Sequence, residues 1–285
     1  MVNAMKRIGV MVLILGLTLG LLLPSFAIAK GNMLILKGPG NGGGGRPQDP
    51  PPPPIEYYTD SPEDKWAVCI GISDYEGRSS DLWNPHNDAT EMALILKNYG
   101  YNYALAMDGA CTAVKIYELV DWLVANEGPN SEVVFFYSGH GGRIPDSSGF
   151  DTDIEADGYD ECLVSWDSYG LPDSRFGEKF AALESSHVAI IFASCHSGGM
   201  FDEANEVAGP GRVCIAAAEA DQYGWDYLDL QNTLFFYHFG DQALLNGPYS
   251  TLEDAFWYAR PLVIAEQPDS CPIMDDQFPG LFYVK

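Results

Sequence analysis

The sequence predicts an α/β fold built on a mainly parallel central sheet flanked by helices. Three observations carry this expectation. Apolar runs rich in β-branched residues alternate with stretches of helical spacing, as a parallel sheet with crossover helices requires. Two of these runs, within residues 132–138 and 187–194, are apolar almost throughout, as strands buried on both faces are. Both runs stop at small residues and glycines, in Ser138-Gly139-His140-Gly141-Gly142 and Ser194-Cys195-His196-Ser197-Gly198-Gly199. Parallel sheets gather functional groups at the carboxyl ends of their strands. If the two strands are neighbours, His140 and Cys195 emerge on the same edge.

The elements follow in order. Trp66 to Ser73 reads as a central strand. Asn84-Pro85-His86-Asn87-Asp88 leads into a helix from Ala89 to Tyr99, closed by Gly100. Tyr103 to Met107 is a short strand, and Thr112 to Ala125 a helix with apolar Val114, Ile116, Leu119, Val120 and Leu123. After the strand ending at His140 comes a polar excursion, Arg143 to Ser168, holding one apolar patch, Cys162 to Trp166. Ser174 to Leu183 reads as a helix, followed by the strand ending at Cys195 and another from Arg212 to Ala217. Phe235 to Leu245 and Thr251 to Arg260 are helical, and Phe282 to Val284 reads as a closing strand. No repeat of fixed period is visible.

Composition narrows the function. The chain has 285 residues, with 15 Lys and Arg against 40 Asp and Glu, a formal charge of −25. Such a surface repels phosphates, which excludes a nucleic-acid partner and suits basic peptides or divalent cations. With 47% hydrophobic residues the acidity does not imply disorder. The N-terminus reads as an export signal: Lys6 and Arg7, the apolar run Ile8 to Leu23, then Ala27-Ile28-Ala29 with cleavage expected after Ala29. The run is shorter than the ~20 residues of a membrane span, so membrane contact is expected only if residues 1–29 are retained. Residues 30–64 read as a linker, glycine-rich from Gly38 to Gly45 and extended over the prolines Pro50 to Pro54. The folded domain is expected over 65–285, as a monomer. None of the six cysteines sits in a C-x-x-C or zinc-ligand spacing. Cys69 and Cys214, inside apolar runs, read as buried thiols.

The two strand ends carry the chemistry. Thiol-based peptide hydrolysis needs a thiolate, an imidazole that takes and returns a proton, and donors for the oxyanion. Cys195 and His140 supply the first two, and the backbone N–H groups of Gly141 and Cys195 the third. No cofactor is required for this chemistry.

Tyr-Ser-Gly-His-Gly-Gly (137–142) and Ala-Ser-Cys-His-Ser-Gly (193–198) resemble the two catalytic motifs of the metacaspase and caspase-like cysteine peptidases. The likeness covers roughly residues 65–285 and takes in the Ala67 to Ile72 run, Asn87-Asp88-Ala89 and Asp157-Gly158-Tyr159-Asp160-Glu161. It implies a caspase-like three-layer sandwich, with His140 and Cys195 as the dyad and His196 turned away. It also implies protein or peptide substrates cut after Arg or Lys, with Asp88 and Ser138 lining the primary pocket. Asp88 equally reads as a helix N-cap before Ala89. The family motif usually has Asp two residues before the nucleophile; here Ala193 stands there, so one pocket carboxylate is missing. Two other readings stay open: an inactive caspase-like binding module, and a related peptidase cutting after Asn or Asp. The short segment Met200 to Gly211 implies a single chain, with any activating cut in 30–64 or in 143–179.

The stretch Asp151 to Glu161 puts six carboxylates in eleven residues with no base. Asp153, Glu155, Asp157 and Gly158 imitate the start of an EF-hand loop, but the twelfth position is Val164 rather than Glu. The resemblance makes calcium activation relevant, with Asp173 as a further ligand. There the consecutive acidic pair of the family is broken, as Asp173-Ser174. A solvated acidic loop and a calcium site built on Asp153, Glu155, Asp157 and Asp173 are both open.

Overall fold

The computed structural model describes residues 10–11, 52–77, 79–150, 155, 157–201 and 207–285. The expected signal peptide and the glycine-rich part of the linker lie outside the described residues. The exception is Val10–Met11, whose backbone pairs antiparallel with Trp225–Asp226.

The core is a seven-stranded sheet. Its strands are β1 (Glu56–Tyr58), β2 (Lys65–Gly71), β3 (Asn102–Met107), β4 (Glu132–Ser138), β8 (Val188–Ala193), β9 (Arg212–Ala216) and β10 (Ile273–Asp276). The spatial order is β10-β9-β8-β4-β2-β3-β1. The five inner strands are parallel, and the two edge strands run antiparallel to their neighbours. A second, three-stranded antiparallel sheet holds β5 (Gly141–Pro145), β6 (Tyr159–Val164) and β7 (Gly170–Pro172). The apolar patch at 162–166 thus belongs to this smaller sheet.

Helices cover both faces of the large sheet, and the pleat decides which residues meet them. Ala67, Cys69, Val134, Phe136, Ala189 and Ile191 face α1 (Pro85–Asn98), the helical stretch α4 (Leu234–Leu245) and α5 (Leu252–Glu266). Val68, Ile70, Val133, Phe135, Ile190 and Phe192 face α2 (Ala113–Asn126) and α3 (Asp173–Phe180). This is the three-layer α/β architecture expected from the alternation.

Several boundaries differ for identifiable reasons. α1 begins at Pro85 rather than Ala89. Pro suits a first helical position because its missing N–H would be unpaired there, and the Asn84 carbonyl accepts from Asn87 and Asp88 N–H. The expected linker ends earlier than 64, because Glu56–Tyr58 joins the sheet as an edge strand. The closing strand is Ile273–Asp276, not 282–284. Phe282 and Val284 are buried, but the Phe282 N–H donates to the Glu253 carboxylate and the Val284 N–H to the Ser250 carbonyl. Their alternation anchors the C-terminal segment, with Tyr283 making a single bridge to Thr251. α4 opens with an α turn and continues as a π-helix from Tyr237 to Leu245. No cysteine is in a disulfide, and Cys69 and Cys214 are fully buried as expected. Among the described residues no helix is long and apolar enough to cross a membrane.

Phe135 is the hub of the α2–α3 layer, with ring centroids 5.3 Å from Phe180, 5.8 Å from Phe176 and 6.1 Å from Phe192. Phe135→Ala is expected to lower unfolding free energy by about 3–5 kcal/mol, measured from the urea midpoint. A loss under about 1 kcal/mol would contradict this packing.

Candidate active site

β4 and β8 are direct neighbours, with Ser138 opposite Ala193. His140 and Cys195 each follow their strand by two residues, so the ladder brings both onto one edge. Three glycines permit the approach. A Cβ at Gly139 would lie 2.7 Å from the hydroxyls of both Tyr75 and Tyr137. One at Gly141 would lie 2.0 Å from the Cys195 carbonyl oxygen, and one at Gly224 3.0 Å from the Ser194 carbonyl carbon. The two strand-end segments therefore meet backbone to backbone.

His140 is fixed by its main chain and by one ring nitrogen. Its N–H donates to the Tyr75 hydroxyl at 2.7 Å. Tyr75 is hydrogen-bonded to Tyr137, whose hydroxyl reaches the carbonyls of His140 and Val164, each at 2.8 Å. The Tyr75 and His140 rings pack with centroids 4.6 Å apart. Nε2 lies 2.7 Å from the Ser80 carbonyl oxygen. A carbonyl only accepts, so Nε2 carries the proton and Nδ1 keeps its lone pair. Nδ1 is buried and has no hydrogen-bond partner. Burial lowers the imidazole to about 4, against a smaller opposing effect of the Ser80 carbonyl.

Cys195 is 2% exposed, and its Sγ lies 3.6 Å from the Gly224 carbonyl oxygen. Burial pushes the thiol up to about 12. The next residue, His196, has φ 56°, an uncommon conformation for a side-chain-bearing residue. It is held there by its N–H to the Gln222 carbonyl and by Nδ1, 2.7 Å from the Ala220 carbonyl oxygen. Its ring packs on Tyr223.

A small cleft opens beside Cys195. Gly139, Ala193 and Cys195 line it from the strand ends, Leu82 and Pro85 from the segment before α1, and Ala217, Trp225, Asp226, Thr233 and Phe235 from the segment after β9. Asp88 and Ser138 are not on its wall. Both are fully buried behind it, with Ser138 Oγ donating to Asp88 Oδ2 at 2.7 Å. Thr233, on the wall, donates through Oγ1 (2.7 Å) and N–H (3.1 Å) to the same carboxylate. Burial raises Asp88 to about 8, against these hydrogen bonds. Asp88 is the fourth residue of α1, so it is not the N-cap; that position is Asn84. The sequence reading missed Asp226. It lies in a segment without periodicity, and only the fold carries it to the cleft.

The acidic excursion is partly neutralised. The β5–β6 ladder sets Arg143 opposite Glu161. Its guanidinium lies 2.6 Å from Asp157 Oδ2 through Nη2 and 3.4 Å from Glu161 Oε1 through Nε. Glu161 is buried under Gly199, where a Cβ would meet its carboxylate at 2.2 Å. Of the four calcium-ligand candidates, Asp153 lies outside the described residues. Glu155 and Asp173 are buried, and Asp157 is paired with Arg143. Among the described residues no group of three or more His, Cys, Asp or Glu could hold a metal ion.

Comparison with known proteins agrees with this architecture. The caspase-domain family model matches residues 64–277. Metacaspase-8 of Arabidopsis thaliana is 33% identical over 155 residues, covering 51% of this chain and 40% of its own length. Metacaspase-1 of Cryptococcus neoformans var. neoformans is 33% identical over 160 residues, covering 51% and 34%. The chain thus spans well under half of these relatives. Among solved structures, the Drosophila initiator caspase Dronc superposes with a TM-score of 0.55 at 12% identity, over 77% of this chain and 82% of its own. A Geobacter sulfurreducens protein gives 0.58 at 19% identity, over 75% and 93%. Both share the fold. The chain belongs to the metacaspase and caspase-like family of cysteine peptidases.

Proposed function

We propose that this chain is a cysteine endopeptidase in which Cys195 is the nucleophile and His140 the general base, cutting after Arg or Lys. The observation that carries the reading is the buried, unpartnered Nδ1 of His140. It is a neutral acceptor held on the same sheet edge as the Cys195 thiol, which lines the cleft. Buried polar atoms in folded proteins are normally paired, and an unpaired one at a strand end calls for a partner that arrives with the reaction.

The steps follow from these positions. The Cys195 thiol passes its proton to Nδ1 while the sulfur attacks the carbonyl carbon. Charge builds on the carbonyl oxygen, and the N–H groups of Gly141 and Cys195 are the proposed donors to it. The imidazolium, its Nε2–H still held by the Ser80 carbonyl, gives the Nδ1 proton to the leaving amine. The C–N bond breaks and a thioester remains. Water, losing a proton to Nδ1, then attacks the thioester. The acid product leaves, and the proton returns to Sγ. Basic-residue selectivity is supported by the acidic groups at and behind the cleft wall.

Two outcomes are expected. In a fluorogenic peptide panel varying the residue before the cut across Arg, Lys, Asp, Asn and Leu, the full chain turns over Arg and Lys peptides under reducing conditions. Cys195→Ala and His140→Ala each lose at least ~10³-fold. Comparing calcium with chelator reads out any role of the acidic excursion. A folded chain that neither turns over peptide nor is labelled at Cys195 by a thiol-reactive substrate mimic is a binding module instead. The second outcome concerns pH. Burial disfavours the imidazolium, so His140 stays a base down to about pH 4. The acid limb of kcat/KM is therefore expected near pH 4, and a limb at the unperturbed 6.5 would contradict the assignment.

A further inference from the structure

We propose that Asp226 is the cleft's charge-reading residue, the group that selects a guanidinium or ammonium on the substrate residue before the cut. The proposal rests on the endopeptidase reading above and names the source of its selectivity.

The walls of the cleft are mostly apolar or small. Among the described residues that line it, Asp226 is the one carboxylate and none is Lys or Arg. Neutral groups hold it in place. Oδ2 accepts from the N–H of Trp83 (2.6 Å) and of Asn84 (3.4 Å), and Oδ1 accepts from Asn84 Nδ2 (2.7 Å). A carboxylate offers about four acceptor positions. Three are used, and the one left is on Oδ1. Among the described residues no Lys or Arg pairs with Asp226.

A second carboxylate stands close behind. Asp226 bridges to Thr233 through the backbone, and Thr233 donates twice to Asp88. The charge of Asp226 adds to the burial that raises Asp88. Two buried carboxyl groups in each other's field, with His86 the basic group that acts on Asp226, are a costly arrangement. A cation seated in the cleft relieves both. Ala193 lies on the same wall.

The competing role for Asp226 is to fix Trp83 and Asn84 at the start of α1. Asp226→Asn separates the two roles, since it keeps an acceptor oxygen and removes the charge. Paired peptides with Arg or the isosteric neutral citrulline before the cut are the probes. The expected result is a 10- to 100-fold fall in kcat/KM for Arg, the size of one charge-assisted hydrogen bond, carried mainly by KM. The citrulline peptide should change less than about threefold, so the Arg-to-citrulline ratio collapses. An unchanged ratio overturns the proposal, whether both substrates fall together or neither does. Should Asp226→Asn not fold, Asp226→Glu takes its place. A carboxylate one methylene longer should shift the preference from Arg toward the shorter Lys by at least about threefold, and an unshifted ratio counts against the proposal. A wild-type chain without preference for Arg or Lys overturns the specificity reading itself. A wild-type preference that survives in Asp226→Asn overturns only the assignment to Asp226.

Discussion

One ladder sets up the site: β4 against β8, parallel, with Ser138 opposite Ala193. Both strands are buried on both faces, so each residue has a fixed side. Phe135 and Phe192 fill the α2–α3 layer, and Val134, Phe136 and Ile191 the opposite one. A one-residue slip of either strand would send every side chain to the wrong layer. Core packing therefore fixes where the two loops begin. Gly141 then fixes how closely they run, because any side chain there would strike the Cys195 carbonyl. The position of an imidazole relative to a thiol is thus a consequence of sheet register.

The burial that fixes this geometry also sets the chemistry of the two groups. Desolvation lowers His140 and raises Cys195, so both are neutral at physiological pH. A thiolate–imidazolium pair in so dry a place would be costly. The resting site stores a proton on sulfur and a lone pair on Nδ1. Ser80 decides which ring nitrogen is free, since its carbonyl binds only the protonated one. Charge separation then waits for a carbonyl carbon to accept the electron pair and for backbone donors to receive the oxyanion. In the proposed reaction, substrate binding is the step that makes the thiol a nucleophile.

Much of this was legible in the sequence because central strands and their ends leave local signals. The apolar runs at 132–138 and 187–194 can hardly be anything but central strands, and glycines after them mark close backbone approach. The edge strands left weaker signals. Glu56–Tyr58 is three residues behind a proline run, and Ile273–Asp276 is half acidic because it needs little burial. The 282–284 alternation misled because an anchored terminal segment buries every second residue just as a strand does. The charge balance of the acidic excursion was hidden for a different reason: Arg143 neutralises Glu161 across a ladder, not along the chain. Asp226 was hidden most fully. Its partners Trp83 and Asn84 are more than a hundred residues away in sequence, and no periodicity links them.

That distance explains how the cleft keeps a carboxylate although Ala193 stands at the end of β8. A charge placed directly on a strand end is fixed by the sheet but occupies the space beside Cys195. A charge delivered by the segment after β9 leaves that space open and is oriented by the donors of the α1 entry instead. Those donors are neutral, so they hold the carboxylate without cancelling it. Asp88 sits one hydrogen-bonded step further back, where burial raises it to about 8. Burial raises Asp226 as well, so in the proposed specificity a cation entering the cleft favours the ionised form of both carboxyl groups. In the proposed specificity, discrimination by such a pair comes from the cost of leaving negative charge unmatched as much as from attraction to the right side chain.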